Sequence, residues 1–291
     1  MSIQKYEAFL KTVEMGSFTK AAQALGYTQS GISHMLNALE KEWNLTLLSR
    51  DRSGVSITSD GLRLLPFVQN ICNAHCELIN KIGNLHGLES GLIRIGTFTS
   101  VAVHWLPNMI KTFQKEYPNI DFELLHGDYT EIENWIATGR ADCGFLKLPV
   151  RAGLESIFLE QDRLMVILPE QHHLADCKSF PIDKLSDEPF ILLEVGSENE
   201  ITDIFEANGI RPNVRFTARD DYAIISMVES GLGISILPEL VLHRTPYKIV
   251  KKELSTPAYR KLGIVLKDTR YASPAVKRFL DYLHHREGIS L

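Results

Sequence analysis

"TKAAQALGYTQSGISHMLNALEK", residues 19–41, holds two short apolar-periodic segments joined at Gly26-Tyr27. In the second segment Ile32, Leu36, Leu39 and Trp43 fall on one stripe at about 100° per residue, the mark of an amphipathic helix. Ser30, His34, Asn37 and Lys41 lie opposite, with Ser33 between the two sets and Gln29 on the first turn. Thr28 stands where an N-cap belongs, its hydroxyl placed to accept from an orphan backbone N–H. A solvated helix face usually favours Glu and Lys. This one carries Gln, Ser, His and Asn, side chains able to hydrogen-bond to base edges in a major groove. Taken alone, the pattern fits a plain surface helix and a DNA-reading helix equally well.

The flanking residues favour the second reading. Ile3, Tyr6, Phe9, Leu10 and Val13 form an amphipathic first helix that ends at Gly16, and Ser17 can cap the next. Ala21, Ala22 and Leu25 make a short second helix whose small residues permit close contact, so the two segments compose a helix-turn-helix. Asn44 follows Trp43 as a left-handed C-cap. "LTLLSRDRSGVSIT" (45–58) then reads as a hairpin, alternating at Val55 and Ile57 and turning at Ser53-Gly54. Arg50 and Arg52 lie on it, so the hairpin is a basic wing suited to phosphates or a minor groove.

"GSFTKAAQALGYTQSGISHMLNALE", followed by "SR" and "SITSDG", resembles the N-terminal winged helix of LysR-type transcriptional regulators over about sixty contiguous positions. The matching residues are Ala21, Ala22, Thr28, Gln29, Ser30, Ser33, Leu39 and Glu40, then Arg50, Thr58 and Gly61. His34 and Met35 stand where the family more often has a long polar pair, Asn44 replaces a family Gly, and Leu48 replaces a family Phe. Asn tolerates the Gly backbone and Leu fills the same core, whereas His34 bears on which bases are read. The resemblance implies double-stranded DNA as partner, read at a pseudo-palindromic operator by Thr28, Gln29, Ser30, Ser33, His34, Asn37, Arg50 and Arg52, and contact with RNA polymerase.

The chain has 291 residues, 44% hydrophobic and 23% charged, ordinary for a globular protein of two or three domains. Its net charge of −5 is unequally spread. Residues 1–58 carry six Lys/Arg against five Asp/Glu, and the remainder carries 25 against 31. A strongly basic DNA-binding domain is therefore absent, and grip on DNA must come from the placement of Lys20, Lys41, Arg50 and Arg52 together with dimerisation. No apolar run is long enough to span a bilayer, and "MSIQKYEAFL" lacks a signal-peptide core, so no membrane association and a cytoplasmic location are expected. The four cysteines, Cys72, Cys76, Cys143 and Cys177, are then reduced. Cys72 and Cys76 at i,i+4 read either as a redox or metal pair or as ordinary small core residues.

From Thr58 onward Leu64, Val68, Ile71, His75, Leu78, Ile82 and Leu85 are spaced 4-3-4-3-4-3, a heptad seam expected to pair with a second copy. Pro66 should kink this helix, and "GNLHGLESG" marks a hinge. The expected organisation is a winged helix-turn-helix over 1–58, a linker and dimerisation helix over 59–88, and an effector-binding domain over 89–291.

In the last of these, "LIRIGTF" (92–98), a helix over 101–116, "IDFELLHG", a helix near 130–138 and "ADCGFL" read as βαβαβ. A second run follows through "RLMVILP", "FILLEVG", a helix over 200–207, "VRFTA", a helix over 222–229 and "GISILP". "RKLGIVLK" and a helix over 273–285 return to the first lobe. The fold class is thus α/β with two lobes: lobe I about 92–161 and 267–291, lobe II about 162–266. "IRIGTF", "LPNMIKTFQKEYPNI", "GRADCGF", "RLMVILPEQHHLA" and "MVESGLGISILP" resemble family segments, which implies a periplasmic-binding-protein-like effector domain. By that resemblance a small effector binds between the lobes at Thr99, Ser100 and Thr130, and at Gly196 and Ser197 of the second lobe. Hydroxyls at helix N-termini suit a carboxylate. Glu194, Asp220 and Asp221 near the same edge suit an amine, so an amino-acid-like effector also fits.

A fused enzyme domain would be marked by GxSxG, a phosphate-binding Gly loop or HExxH, and none occurs. The pairs His172-His173 and His284-His285 are adjacent, which on a regular element sends the side chains to different sides. No enzymatic activity, metal or cofactor is expected. A regulator that keeps the helix-turn-helix as a scaffold only is the remaining alternative, and the intact Gln29, Ser30, Ser33 and Arg50 set speaks against it.

Overall fold

A computed structural model describes residues 2–51, 54–85, 90–194 and 200–284. Contacts divide the chain into two compact units, Met1–Ser90 with Thr138–Arg140, and Gly91–Ala137 with Ala141–Leu291.

The first unit opens with α1 (Ile3–Met15), α2 (Phe18–Leu25) and α3 (Gln29–Trp43). Gly16 and Gly26 end the first two helices at φ 58° and 71°, a left-handed backbone that glycine adopts without a Cβ penalty. Asn44 takes the same role after α3 at φ 53°, which accounts for its standing in for Gly. The strands β1 (Leu48–Asp51) and β2 (Gly54–Ile57) pair antiparallel as the wing. Phe9, Ile32, Leu36, Leu39 and Leu47 are fully buried at the centre, and Trp43 sets its ring 5.7 Å from that of Tyr6.

Side chains join wing to helices. Glu40 accepts from the N–H groups of Leu47 and Leu48 at 2.7 and 3.1 Å. The Thr58 hydroxyl donates to the Thr46 carbonyl at 2.6 Å and accepts from Gly61 N–H at 3.0 Å. A Cβ at Gly61 would lie 2.4 Å from the Leu47 carbonyl oxygen, so only glycine fits beneath that strand. Glu40, Thr58 and Gly61, singled out by family pattern, therefore hold the wing against the helices.

The long helix α4 (Ser59–Leu85) runs through Pro66. Its heptad stripe divides. Leu64 and Val68 pack on the winged core, where Cys72 is also buried. The expectation that Leu64 and Val68 belong to an intermolecular seam is corrected: the first turns of the helix are covered by their own domain. Phe67, Ile71 and Leu78 are exposed. The side chains of Ile82 and Leu85 lie outside the described residues.

The second unit has two lobes. Lobe I contains β3 (Ser90–Thr97), α5 (Thr99–His104), α6 (Leu106–Glu116), β4 (Asn119–His126), α7 (Tyr129–Thr138) and β5 (Cys143–Leu148). The helix expected over 101–116 is two helices, because Pro107 has no N–H to continue the ladder and crowds the preceding turn. Two long antiparallel strands cross between the lobes, β6 (Glu155–Pro169) and β10 (Ile249–Leu266). Lobe II contains β7 (Pro189–Leu193), α8 (Glu200–Ala207), β8 (Asn213–Ala218), α9 (Asp221–Glu229) and β9 (Ser235–Pro238). The helix α10 (Pro274–His284) closes the described chain and buries Phe279 in the lobe I core.

A six-stranded sheet has the order β4-β3-β5-β10-β6-β9, and a two-stranded sheet pairs β7 with β8. Because β10 runs antiparallel to both β5 and β6, the larger sheet is mixed, not purely parallel. The return crossing also falls earlier than residue 267, since Lys261–Val265 already pair with β5. Gly96 and Gly144 are register partners on β3 and β5. A Cβ on either would stand 2.7 Å from Cγ2 of Ile132, so the glycines let α7 settle onto the sheet. That seat brings the first turn of α7 to the mouth between the lobes.

Candidate functional site

In the first unit the interest lies on α3. Thr28 caps the helix, its hydroxyl accepting from Gly31 N–H at 3.1 Å. Its oxygen also lies 3.1 Å from that of Ser30. Ile32, Leu36 and Leu39 are buried, while Thr28, Gln29, Ser30, His34 and Asn37 are exposed and Ser33 is half-buried. One helix thus has an apolar back against the core and a polar front of short donors and acceptors. Arg50 lies within β1, and only its backbone is described. Arg52 and the residue Ser53 of the expected turn lie outside the described residues.

In the second unit a cavity of about 240 Å³ opens between the lobes, close to the lower end of small-molecule sites. The expected Thr99 and Ser100 line it, as do Glu194 and Asp221. Thr130 does not: it is exposed, and its neighbours Tyr129 and Glu131 form the wall. A step of one residue turns a helical side chain by about 100°, which separates Thr130 from both neighbours. Gly196 and Ser197 lie outside the described residues.

At the floor stands a residue that sequence reading did not single out. Arg260 is buried on β10 directly across from Asp162 on β6. Its Nε and Nη2 donate to Asp162 Oδ2 at 2.9 and 2.7 Å. Nη2 also donates to Ser100 Oγ at 2.9 Å, and Nη1 donates to the Tyr129 hydroxyl at 3.0 Å. The Glu200 carboxylate lies 3.5 Å from Nη1 and accepts from the Tyr129 hydroxyl at 3.3 Å. The guanidinium sits 5.3 Å from the centre of the Phe98 ring, which meets Tyr129 edge-on. Asp162 in turn accepts from Leu240 N–H at 3.1 Å, so one buried network ties α5, α7, α8 and both crossing strands.

Burial works against the charge on Arg260, but the Tyr129 oxygen, Asp162 and Glu200 more than offset it and hold the guanidinium more firmly protonated than usual. Burial pushes the Tyr129 phenol up, so it stays a neutral donor. Asp221, at the start of α9, is pushed up to about 6, chiefly by burial and then by the carboxylates of Asp220 and Glu200, against the pull of Arg260 and a hydrogen bond from Thr99. The signal for the network was faint but present. Asp162 and Arg260 are opposite charges, each standing at the head of an apolar strand run, "RLMVILP" and "RKLGIVLK".

The adjacent histidines also differ from expectation. His172 Nε2 lies 3.3 Å from one Glu188 oxygen and His173 Nε2 lies 3.4 Å from the other. The rings stack at 4.5 Å because the pair occupies a turn, where strand alternation does not apply. Leu174 N–H donates to His172 Nδ1 at 3.2 Å, so the assigned tautomer carries its proton on Nε2 and donates it to Glu188. A metal needs that nitrogen's lone pair, so the arrangement suits a hydrogen-bonded turn.

With an exposed polar face on a helix-turn-helix and a polar cavity between two α/β lobes, the molecule has the two parts of a ligand-responsive DNA-binding protein. The profile of the bacterial regulatory helix-turn-helix protein, lysR family, matches residues 3–62, and that of the LysR substrate binding domain matches residues 86–287. The transcriptional regulator YvbU of Bacillus subtilis (strain 168) is 32% identical over 284 residues, covering 97% of each chain. Among solved structures, a full-length OxyR variant from Pseudomonas aeruginosa superposes with a TM-score of 0.76 at 20% identity, over 99% of this chain and 96% of that one. Full-length CbnR complexed with its target DNA superposes with a TM-score of 0.70 at 20% identity, over 98% and 99%. The chain belongs to the LysR family of transcriptional regulators. It is a DNA-binding regulator with an effector-binding domain, and none of its described helices is long and apolar enough to cross a membrane.

Proposed function

We propose that α3 reads a pseudo-palindromic operator through Gln29, Ser30, Ser33, His34 and Asn37, with Thr28 at its cap and Arg50 and Arg52 on the wing gripping phosphates. The observation that carries this is the polar front of α3 set on an apolar back, which leaves short hydrogen-bonding side chains exposed in a row. A near-neutral binding domain needs a second copy to reach useful affinity, and the exposed Phe67, Ile71 and Leu78 of α4 supply an apolar stripe for pairing. The working species is a homodimer or a homotetramer of such pairs in the cytoplasm, acting on RNA polymerase at a promoter.

The effector binds in the cavity between the lobes, at Thr99 and Ser100; Gly196 and Ser197 are carried as further contacts on the family resemblance alone. It shifts the regulator by its differential affinity for two states of the lobes. The network on Arg260 supports this reading, because it joins elements of both lobes through the two crossing strands at the cavity floor. The test is a gel shift of the purified protein on the promoter region beside its own gene, across a salt series. A discrete complex that survives unlabelled competitor and weakens with salt is expected. Equal affinity for operator and random DNA overturns the reading.

A further inference from the structure

The effector cavity is lined by both signs of charge, and what decides its ligand is which charges are already engaged. Four of the five N–H groups of Arg260 are taken, by Asp162, Ser100 and Tyr129, and the Glu200 carboxylate stands 3.5 Å from the nitrogen that carries the fifth. Arg219, the other cation on the described wall, has a side chain 75% exposed and faces Asp128 at 3.9 Å.

Two of the helix N-termini around the cavity, those of α7 and α9, are engaged as well. On α7, Asp128 accepts from Glu131 N–H at 2.8 Å and Glu131 accepts from Asp128 N–H at 3.0 Å, a reciprocal capping box. On α9, Asp220 accepts from Ala223 N–H at 2.8 Å. The first turn of α8 carries Glu200 and Asp203. On α7 and α9 the positive helix ends that ordinarily attract an anion are thus already faced by carboxylates of the chain itself, while α5 carries no side-chain cap and shares the cavity wall with Asp221 and Glu194. Asp221 and Glu194 remain on the wall. The Thr99 hydroxyl lies 3.3 Å from His126 Nε2 on the same wall, and the cation that draws on Asp221, Arg260, is committed to Asp162.

Resting on the reading of this cavity as the effector site, we infer that it selects a small cationic amine, held by Asp221 and Glu194 and oriented by Thr99, in preference to a simple carboxylate. A ligand ammonium supplies a cationic partner for Asp221 and Glu194, whereas a ligand carboxylate meets carboxylates and a guanidinium already engaged through four of its five N–H groups. An amino-acid-like effector fits through its amine. Burial, with Asp220 and Glu200 beside it, raises the protonation range of Asp221 despite the pull of Arg260, which agrees with a site that favours a cation.

Titration calorimetry and thermal shift on the full-length protein, near pH 8, test this with putrescine, agmatine and L-lysine as cationic probes and succinate, benzoate and phosphate as anionic ones. The cationic probes are expected to stabilise the protein, and Asp221→Asn to weaken the best of them at least tenfold while operator binding persists. Glu194→Gln is expected to weaken it severalfold, and serves as the second variant should Asp221→Asn not fold. Stabilisation by anionic probes alone, undiminished in either variant, overturns the amine assignment and leaves the effector cavity standing. No ligand-dependent shift from either class overturns both.

Discussion

Asp221→Asn separates what the cavity does for ligand binding from what it does to stability. In the folded protein the Asp221 carboxyl titrates at about 6 against an ordinary 3.8. Between those values the folded chain holds a proton that the unfolded chain has released. The group's contribution is therefore most favourable at low pH, declines as pH rises, and levels off above about 7. The gap between the two values corresponds to about 3 kcal/mol lost at high pH, at about 1.4 kcal/mol per tenfold change. Asparagine cannot ionise, yet it keeps an acceptor for the Thr99 hydroxyl. The variant without ligand is thus expected to exceed the wild type by on the order of 1–2 kcal/mol near pH 5 and about 3 kcal/mol near pH 8. For a unit of this size, 3 kcal/mol is a rise in Tm of roughly 5–10 °C. Thermal unfolding followed by circular dichroism between these pH values, at fixed ionic strength, reads the difference directly. A variant no more stable than wild type at pH 8, or a gap that does not grow with pH, refutes the picture of an under-compensated carboxylate. The same substitution that stabilises the empty protein is expected to weaken its response to amines at least tenfold, a stability–function trade located in one side chain.

Arg260→Met leaves Asp162 buried without its partner and is expected to cost about 3–5 kcal/mol, with the double variant Arg260→Met/Asp162→Leu recovering most of it; urea titration of both decides this. Gln29→Ala should reduce specific operator affinity by about 1–3 kcal/mol with little change in the salt slope, read by gel shift against a competitor series. Ile71→Asp with Leu78→Asp should convert the assembly to monomer in light scattering, with a matching loss of operator affinity; an unchanged assembly removes α4 from the interface. Gly144→Val drives a side chain into Ile132, whose Cγ2 would stand 2.7 Å from the new Cβ, and is expected to lower stability by about 1–3 kcal/mol in urea titration.

Much of the first unit was legible in the chain because its signals are local. The apolar stripe of α3, the Thr28 cap, the left-handed ends at Gly16, Gly26 and Asn44, and the alternation of β2 all depend on residues within a turn or two of one another. So did most of the βα units of the second, where apolar runs and helix breaks are contiguous. What the chain did not disclose depends on partners far away in sequence. The outer half of β6, "ESIFLEQD", and the first half of β10, rich in Lys and Ser/Thr, have no strand-like apolar pattern; the former is a strand because it pairs with Arg260–Leu266, and the latter because Ile249–Glu253 pair with Met165–Pro169, partners some hundred positions away. That pairing alone sets Arg260 opposite Asp162 and makes the cavity floor. The stripe on α4 likewise had the right period from end to end, but only packing decided that Leu64 and Val68 face their own domain while Ile71 and Leu78 do not. Periodicity records which residues prefer to leave water; the surface that receives them, and the charges left facing one another once they are covered, exist only after the chain has folded.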